Sequence, residues 1–137
     1  MPFNRKTIWL IIFCWATVIF ILSSIQNPPQ PVRGDELFMF LLTTTEHIIE
    51  YSIFGFLLFH GFCSLGKDAR FAILLAIIFA IIYGATDEIH QYFVPTRVCD
   101  ILDLAADALG GTIGAFSASK TAGLLRKQNA IRLKPRS

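Results

Sequence analysis

Charge is what this 137-residue chain has least of: 16% of its residues are Asp, Glu, Lys or Arg, against 54% that are hydrophobic. With a mean hydropathy of +0.58, that balance excludes an ordinary water-soluble domain and places the chain among membrane proteins. Cysteine is scarce as well. Cys14, Cys63 and Cys99 fit neither a metal-ligand spacing nor a paired framework, so no disulfide scaffold is expected and the three read as small hydrophobes. The chain also lacks a P-loop, a nucleophile elbow, a dinucleotide fingerprint and a cysteine pair, which leaves ATP-driven transport and soluble-type catalysis without support.

What is present is apolar sequence in four runs: about 7 to 25, 45 to 63, 69 to 86 and 101 to 121. Each is near the roughly 20 residues that a helix needs to cross about 30 Å of hydrocarbon. The fold expected is therefore all-α: a polytopic membrane protein of four transmembrane helices, arranged as two hairpins in a compact bundle. Residues 1–121 form this domain and 122–137 a basic, loosely ordered cytoplasmic tail. The first run follows Arg5 and Lys6 and lacks a small-x-small cleavage site before Asn27, so it reads as an uncleaved span. Adjacent prolines in QNPPQP (26–31) force a non-helical exit onto the outer surface. An apolar patch at 37–42 is expected to lie along the interface before Thr44 or Thr45 caps the second span.

Basic residues give the orientation. Arg5, Lys6, Lys67, Arg70, Lys120, Arg126, Lys127, Arg132, Lys134 and Arg136 fall on one side and only Arg33 and Arg97 on the other, which puts both termini in the cytoplasm of a bacterial membrane. Among the acids only Asp68 shares the cytoplasmic side. The chain's polar chemistry therefore faces outward.

That chemistry gathers in two places. At the head of the second span His47, Glu50 and Tyr51 share one helix face. Between the third and fourth runs lie Asp87, Glu88, His90, Gln91 and Arg97, then Asp100, Asp103 and Asp107 at i, i+3 and i+7. The same stripe of the fourth helix continues as Gly110 and Gly114, and this Gly-x-x-x-Gly spacing allows close helix contact in lipid. The packing would hold the acids inside the bundle, toward His47, Glu50 and Asp87. Like charges crowded in a low-dielectric cleft require protons, water or a cation to offset them.

The combination of Ser23-Ser24, His47-x-x-x-Tyr51, Asp87-Glu88-x-x-Gln91-x-Phe93-Val94-Pro95-x-Arg97 and Asp100-x-x-Asp103-x-x-x-Asp107-x-x-Gly110-x-x-x-Gly114 resembles the VanZ-like family of small bacterial membrane proteins over most of residues 8 to 118. Thr44 stands where that family often has lysine, Thr96 where it often has glycine, and Asp107 where many relatives carry asparagine. The resemblance implies a role at the cell envelope, since the namesake is tied to low-level resistance to the glycopeptide teicoplanin.

Three functions fit these residues. The first is a non-enzymatic, outward-facing pocket built from His47, Glu50, Tyr51, Asp87, Glu88, Gln91, Arg97, Asp100, Asp103 and Asp107. It would bind an envelope lipid or cell-wall precursor and modulate glycopeptide access. The second is an intramembrane metal-dependent hydrolase or transferase on lipid-linked precursors, with His47, Glu50, Asp87 and Asp103 as ligands and Glu88 or His90 as base. The third is a set of charges, Arg97 paired with Asp100 or Asp103 among them, that only fixes helix register. No catalytic residue is assigned, no cofactor is required, and the reading leans away from an enzyme. The bilayer is the one partner that composition demands, and nucleic acid is not expected.

Overall fold

The computed structural model describes residues 4–25, 36–97 and 99–132. The prolines of QNPPQP and Arg33 lie outside them. Four α-helices follow one another: α1 (Arg5–Ser23), α2 (Glu36–Ser64), α3 (Ala69–Tyr92) and α4 (Ile101–Arg132), with no strand among the described residues. α1, α3 and α4 are long and apolar enough to cross a membrane. α2, with 29 residues, is long enough, but Glu46, His47, Glu50 and His60 interrupt its apolar character.

Local signals set most of the boundaries. Asn4 opens α1 by accepting the Lys6 N–H at 2.9 Å, and Asp68 opens α3 by accepting that of Phe71 at 3.0 Å, both as N-caps. Between them Gly66, at φ +80°, closes α2. Its N–H donates to the Cys63 carbonyl and that of Lys67 to the Phe62 carbonyl, a Schellman arrangement that glycine adopts without strain. α3 ends at Tyr92, ahead of Val94 and Pro95 as the sequence requires.

Two expectations about helix length fail. The patch at 37–42 is not a separate interfacial piece: it forms the first turns of α2, which starts at Glu36. Thr45 therefore does not cap a helix. Its hydroxyl donates back to the Leu41 carbonyl at 2.6 Å, and that of Thr43 to Met39 at 3.1 Å, so both sit in helix interiors. At the other end α4 runs on past Thr121 to Arg132, where a loosely ordered arm was expected; no proline or glycine after Gly123 interrupts it before Pro135.

The core is narrow because small residues line it. On α3, Ala72, Ala76, Ala80 and Gly84 form one buried stripe, and on α4 Ala106, Gly110, Gly111, Gly114, Ala115 and Ala118 form another. α4 packs chiefly on α2 and next on α3, while α1 leans on α2. A β-carbon on Gly110 would stand 2.6 Å from the Ile48 carbonyl oxygen, and one on Gly114 would collide with the Ser52 carbonyl. These contacts put α2 and α4 side by side and parallel, with α3 antiparallel to both: Gly111 meets Ala80, and Asp107 meets Gly84. Such close approach is how helices associate where lipid removes the hydrophobic drive. Phe13, Leu37, Phe38 and Ile82 are among the large side chains left exposed on the outside of the bundle, as a lipid-facing surface requires.

Candidate functional site

The parallel setting of α2 and α4 fixes the polar end of the bundle. His47 is the first buried residue among those described in α2, Asp103 and Asp107 stand one turn apart on α4, and α3 brings Asp87, Glu88 and Gln91 from the opposite direction. His47 Nδ1 and Asp107 Oδ1 are 2.8 Å apart. Asp107 is fully buried and His47 is 7% exposed. With the ring N–H donating to the carboxylate, the second ring nitrogen, Nε2, faces Asp103 Oδ2 at 4.0 Å.

Glu88 ties the end of α3 to the start of α4. Its Oε2 accepts the backbone N–H of Asp100 at 2.8 Å. Asp100 in turn accepts the Leu102 N–H with Oδ1 at 2.9 Å, which makes it the cap of α4. Asp87 accepts from the Gln91 amide at 3.1 Å, one turn along the same helix. Tyr51 is completely enclosed and stacks edge-on with Phe54. Buried polar side chains nearly always have partners, yet Glu88 Oε1, Asp107 Oδ2 and the Tyr51 hydroxyl have none among the described residues.

Beside this cluster a cavity of about 430 Å³ opens at the same end. Glu46, His47 and Glu50 line it from α2, Asp87 and Gln91 from α3, and Leu22, Ser23 and Arg97 close it near the end of α1. His47, Glu50, Tyr51, Asp87, Glu88, Gln91, Asp103 and Asp107, named from sequence, thus occupy one end of one bundle. Glu50 is half-buried on the cavity wall rather than in the buried cluster.

Three expectations about individual residues are corrected. Arg97 does not pair with Asp100 or Asp103. Its Nε and Nη2 donate to the Ile25 and Leu22 carbonyls at 3.1 and 3.2 Å, so it satisfies the open end of α1. Asp100 serves as a helix cap. His90 points away from the acids: its Nε2 meets the Ser24 hydroxyl at 2.9 Å and its ring lies on Phe20 with centroids 4.4 Å apart. Helix phase explains the last case, because His90 is two residues from Glu88 and faces α1 while Glu88 faces α4.

The ligand set proposed from sequence also changes. Among the described residues the side chains that converge closely enough to share an ion are His47, Glu88 and Asp107, rather than His47, Glu50, Asp87 and Asp103. Sequence reasoning missed two further groups. Trp15 Nε1 donates to the Glu50 carbonyl at 3.0 Å and the Tyr83 hydroxyl to the Ala16 carbonyl at 2.6 Å, so α1 is pinned to α2 and α3 just below the cavity. The regular spacing of Ala72, Ala76, Ala80 and Gly84 was a visible signal for the α3 face that meets Asp107.

No curated protein and no solved structure matches the chain. The family model described as VanZ/LLP1 matches residues 7–124, which takes in α2 and α3, most of α1 and α4, and every residue of the polar cluster. On that match the chain belongs to the VanZ/LLP1 family.

Proposed function

We propose that this chain is a cell-envelope protein of the bacterial cytoplasmic membrane that binds a surface component in an outward-facing acidic pocket and so modulates how glycopeptide antibiotics reach that surface. In this reading all four helices cross the bilayer and both termini are cytoplasmic. The observation that carries it is the cavity of about 430 Å³ walled by Glu46, His47, Glu50, Asp87 and Gln91, at the end of the bundle that the distribution of lysine and arginine turns outward. Family membership supplies the link to glycopeptide resistance.

The wall chemistry favours a ligand bearing ammonium or hydroxyl groups. Arg97 is committed to the Leu22 and Ile25 carbonyls, which leaves the Glu46, Glu50 and Asp87 carboxylates, the Gln91 amide, the His47 ring and the Ser23 and Thr43 hydroxyls as the polar wall groups, with carboxylates the most numerous kind. Acceptors of this kind bind cationic donors most strongly. The pocket needs no catalytic step to act: masking or holding a surface precursor suffices.

The test is the teicoplanin susceptibility of a sensitive Gram-positive host expressing the chain, beside Glu50→Gln and Asp87→Asn variants matched for membrane abundance. The intact chain should raise the inhibitory concentration and both variants should lose the gain. Full protection by both variants would remove the pocket from the mechanism.

A further inference from the structure

Three helices each deliver one buried ligand-bearing side chain to a single point beneath the cavity. His47 comes from α2, Glu88 from α3 and Asp107 from α4, and each offers an atom that lies within 4.8 Å of the other two. All are more than nine-tenths buried, at 7%, 3% and 0% exposure. A second observation is independent of this convergence: Glu88 Oε1 and Asp107 Oδ2 are enclosed by protein and have no hydrogen-bond donor among the described residues. Two orphaned carboxylate oxygens beside one imidazole form an arrangement that protein groups alone leave unsatisfied. We propose that His47, Glu88 and Asp107 form a divalent cation site.

The donor set selects the ion. One imidazole nitrogen with carboxylate oxygens suits zinc, which takes four ligands in all. Calcium takes six to eight oxygens and magnesium an octahedral shell with several waters, and three buried side chains do not supply either. Ligand atoms bound to one zinc at about 2.0–2.2 Å stand roughly 3.3 Å apart, so the three groups need only small side-chain rotations to close on the ion.

Partners already in place orient the ligands. His47 Nδ1 stands 2.8 Å from Asp107 Oδ1, so the ion takes the place of the proton between them, with Nδ1 as the metal-binding nitrogen. The Asp100 N–H holds Glu88 Oε2 and leaves Oε1 for the ion. Asp103 Oδ2, 4.0 Å from Nε2, stands on the other side of the ring, where it orients the imidazole from outside the ligand set. The site does not depend on the pocket's taking a glycopeptide or a precursor, so it is tested with metal alone.

The experiment uses the full chain purified in detergent with a histidine-free tag and with Cys14, Cys63 and Cys99 changed to serine, so that thiols cannot bind zinc. After stripping with a chelator, the protein is titrated separately with zinc, manganese, magnesium and calcium chlorides, and affinity and melting temperature are read. The expected result is one zinc per chain with a raised melting temperature. Glu88→Gln and Asp107→Asn should each weaken zinc by roughly 10–100-fold while retaining the helicity and monodispersity of the parent. Failure of the parent to bind zinc overturns the proposal. So does unchanged affinity in both variants, or tighter binding of magnesium or calcium than of zinc. If Asp107→Asn does not fold, Glu88→Gln decides, because its amide oxygen can still accept the Asp100 N–H.

Discussion

Replacing Asp107 by alanine should be the most damaging single change at the polar end of the bundle. The carboxylate is fully buried, and its Oδ1 is the only hydrogen-bond partner found for the buried His47 ring among the described residues, at 2.8 Å. Leaving a neutral buried donor unpaired costs about 1–3 kcal/mol, and breaking a buried ion pair costs about 3–5 kcal/mol. We expect a loss of about 3 kcal/mol, where the two ranges meet. His47→Ala should cost a similar amount by stranding the carboxylate. The double variant should lose less than the sum, with a coupling of about 2 kcal/mol, because neither partner is then left buried alone. The assay is reversible unfolding in mixed micelles as the fraction of denaturing detergent rises, with a chelator present so that bound metal does not contribute. Additive single-variant losses, within about 0.5 kcal/mol, would refute the claim that this pair is a unit.

Other consequences can be checked in the same system. Gly110→Ala and Gly114→Ala push a methyl into the Ile48 and Ser52 carbonyls of α2 and should destabilise by about 1–3 kcal/mol. Gly123, with open space around it in the same helix, should gain about 1 kcal/mol on the same change; equal shifts at all three sites would contradict the packing seam. Thr96 holds φ at 71°, a region that is strained for a β-branched residue by about 1–3 kcal/mol. Thr96→Gly should therefore stabilise the chain by about 1 kcal/mol after glycine's own entropy cost, and a loss of stability would show that the side chain's contacts outweigh the strain. Cys99 is exposed, and desolvation followed by the nearby Glu88 and Asp100 carboxyls pushes its thiol above the usual range. An impermeant maleimide should label it in intact cells, slowly at neutral pH and roughly tenfold faster per pH unit until the raised pKa is reached. Labelling confined to inverted vesicles would reverse the proposed orientation.

How far the sequence reaches differs between the fold and the site. The helix count and the turns at Gly66 and Pro95 follow from local chemistry: apolar runs, a residue free to take positive φ, and a residue that cannot donate. The outer limit of α2 was not legible, because Thr44 and Thr45 look like caps. Thr45 instead bonds back within a helix that the apolar residues at 37–42 extend. The far end of α4 was missed for a related reason, since a polar helix running out of the bundle has no apolar period to announce it.

The sequence by itself determined that this is an all-helical membrane protein with its acids gathered at one end, because hydropathy and spacing are properties of a chain read locally. It also placed Asp103, Asp107, Gly110 and Gly114 on one stripe of α4. Only the tertiary structure decided which carboxyls meet the imidazole. The backbone of α2 approaches closely at Gly110 and Gly114, and the Ala–Gly stripe of α3 lets Asp107 lie against Gly84. That register sets His47 beside Asp107 and Glu88 and leaves Glu50 on the cavity wall. The same tertiary contacts turned Arg97 to the end of α1 and His90 to Ser24. Spacing along one helix says which residues share a face, but the depth at which three helices lock together decides what each face touches.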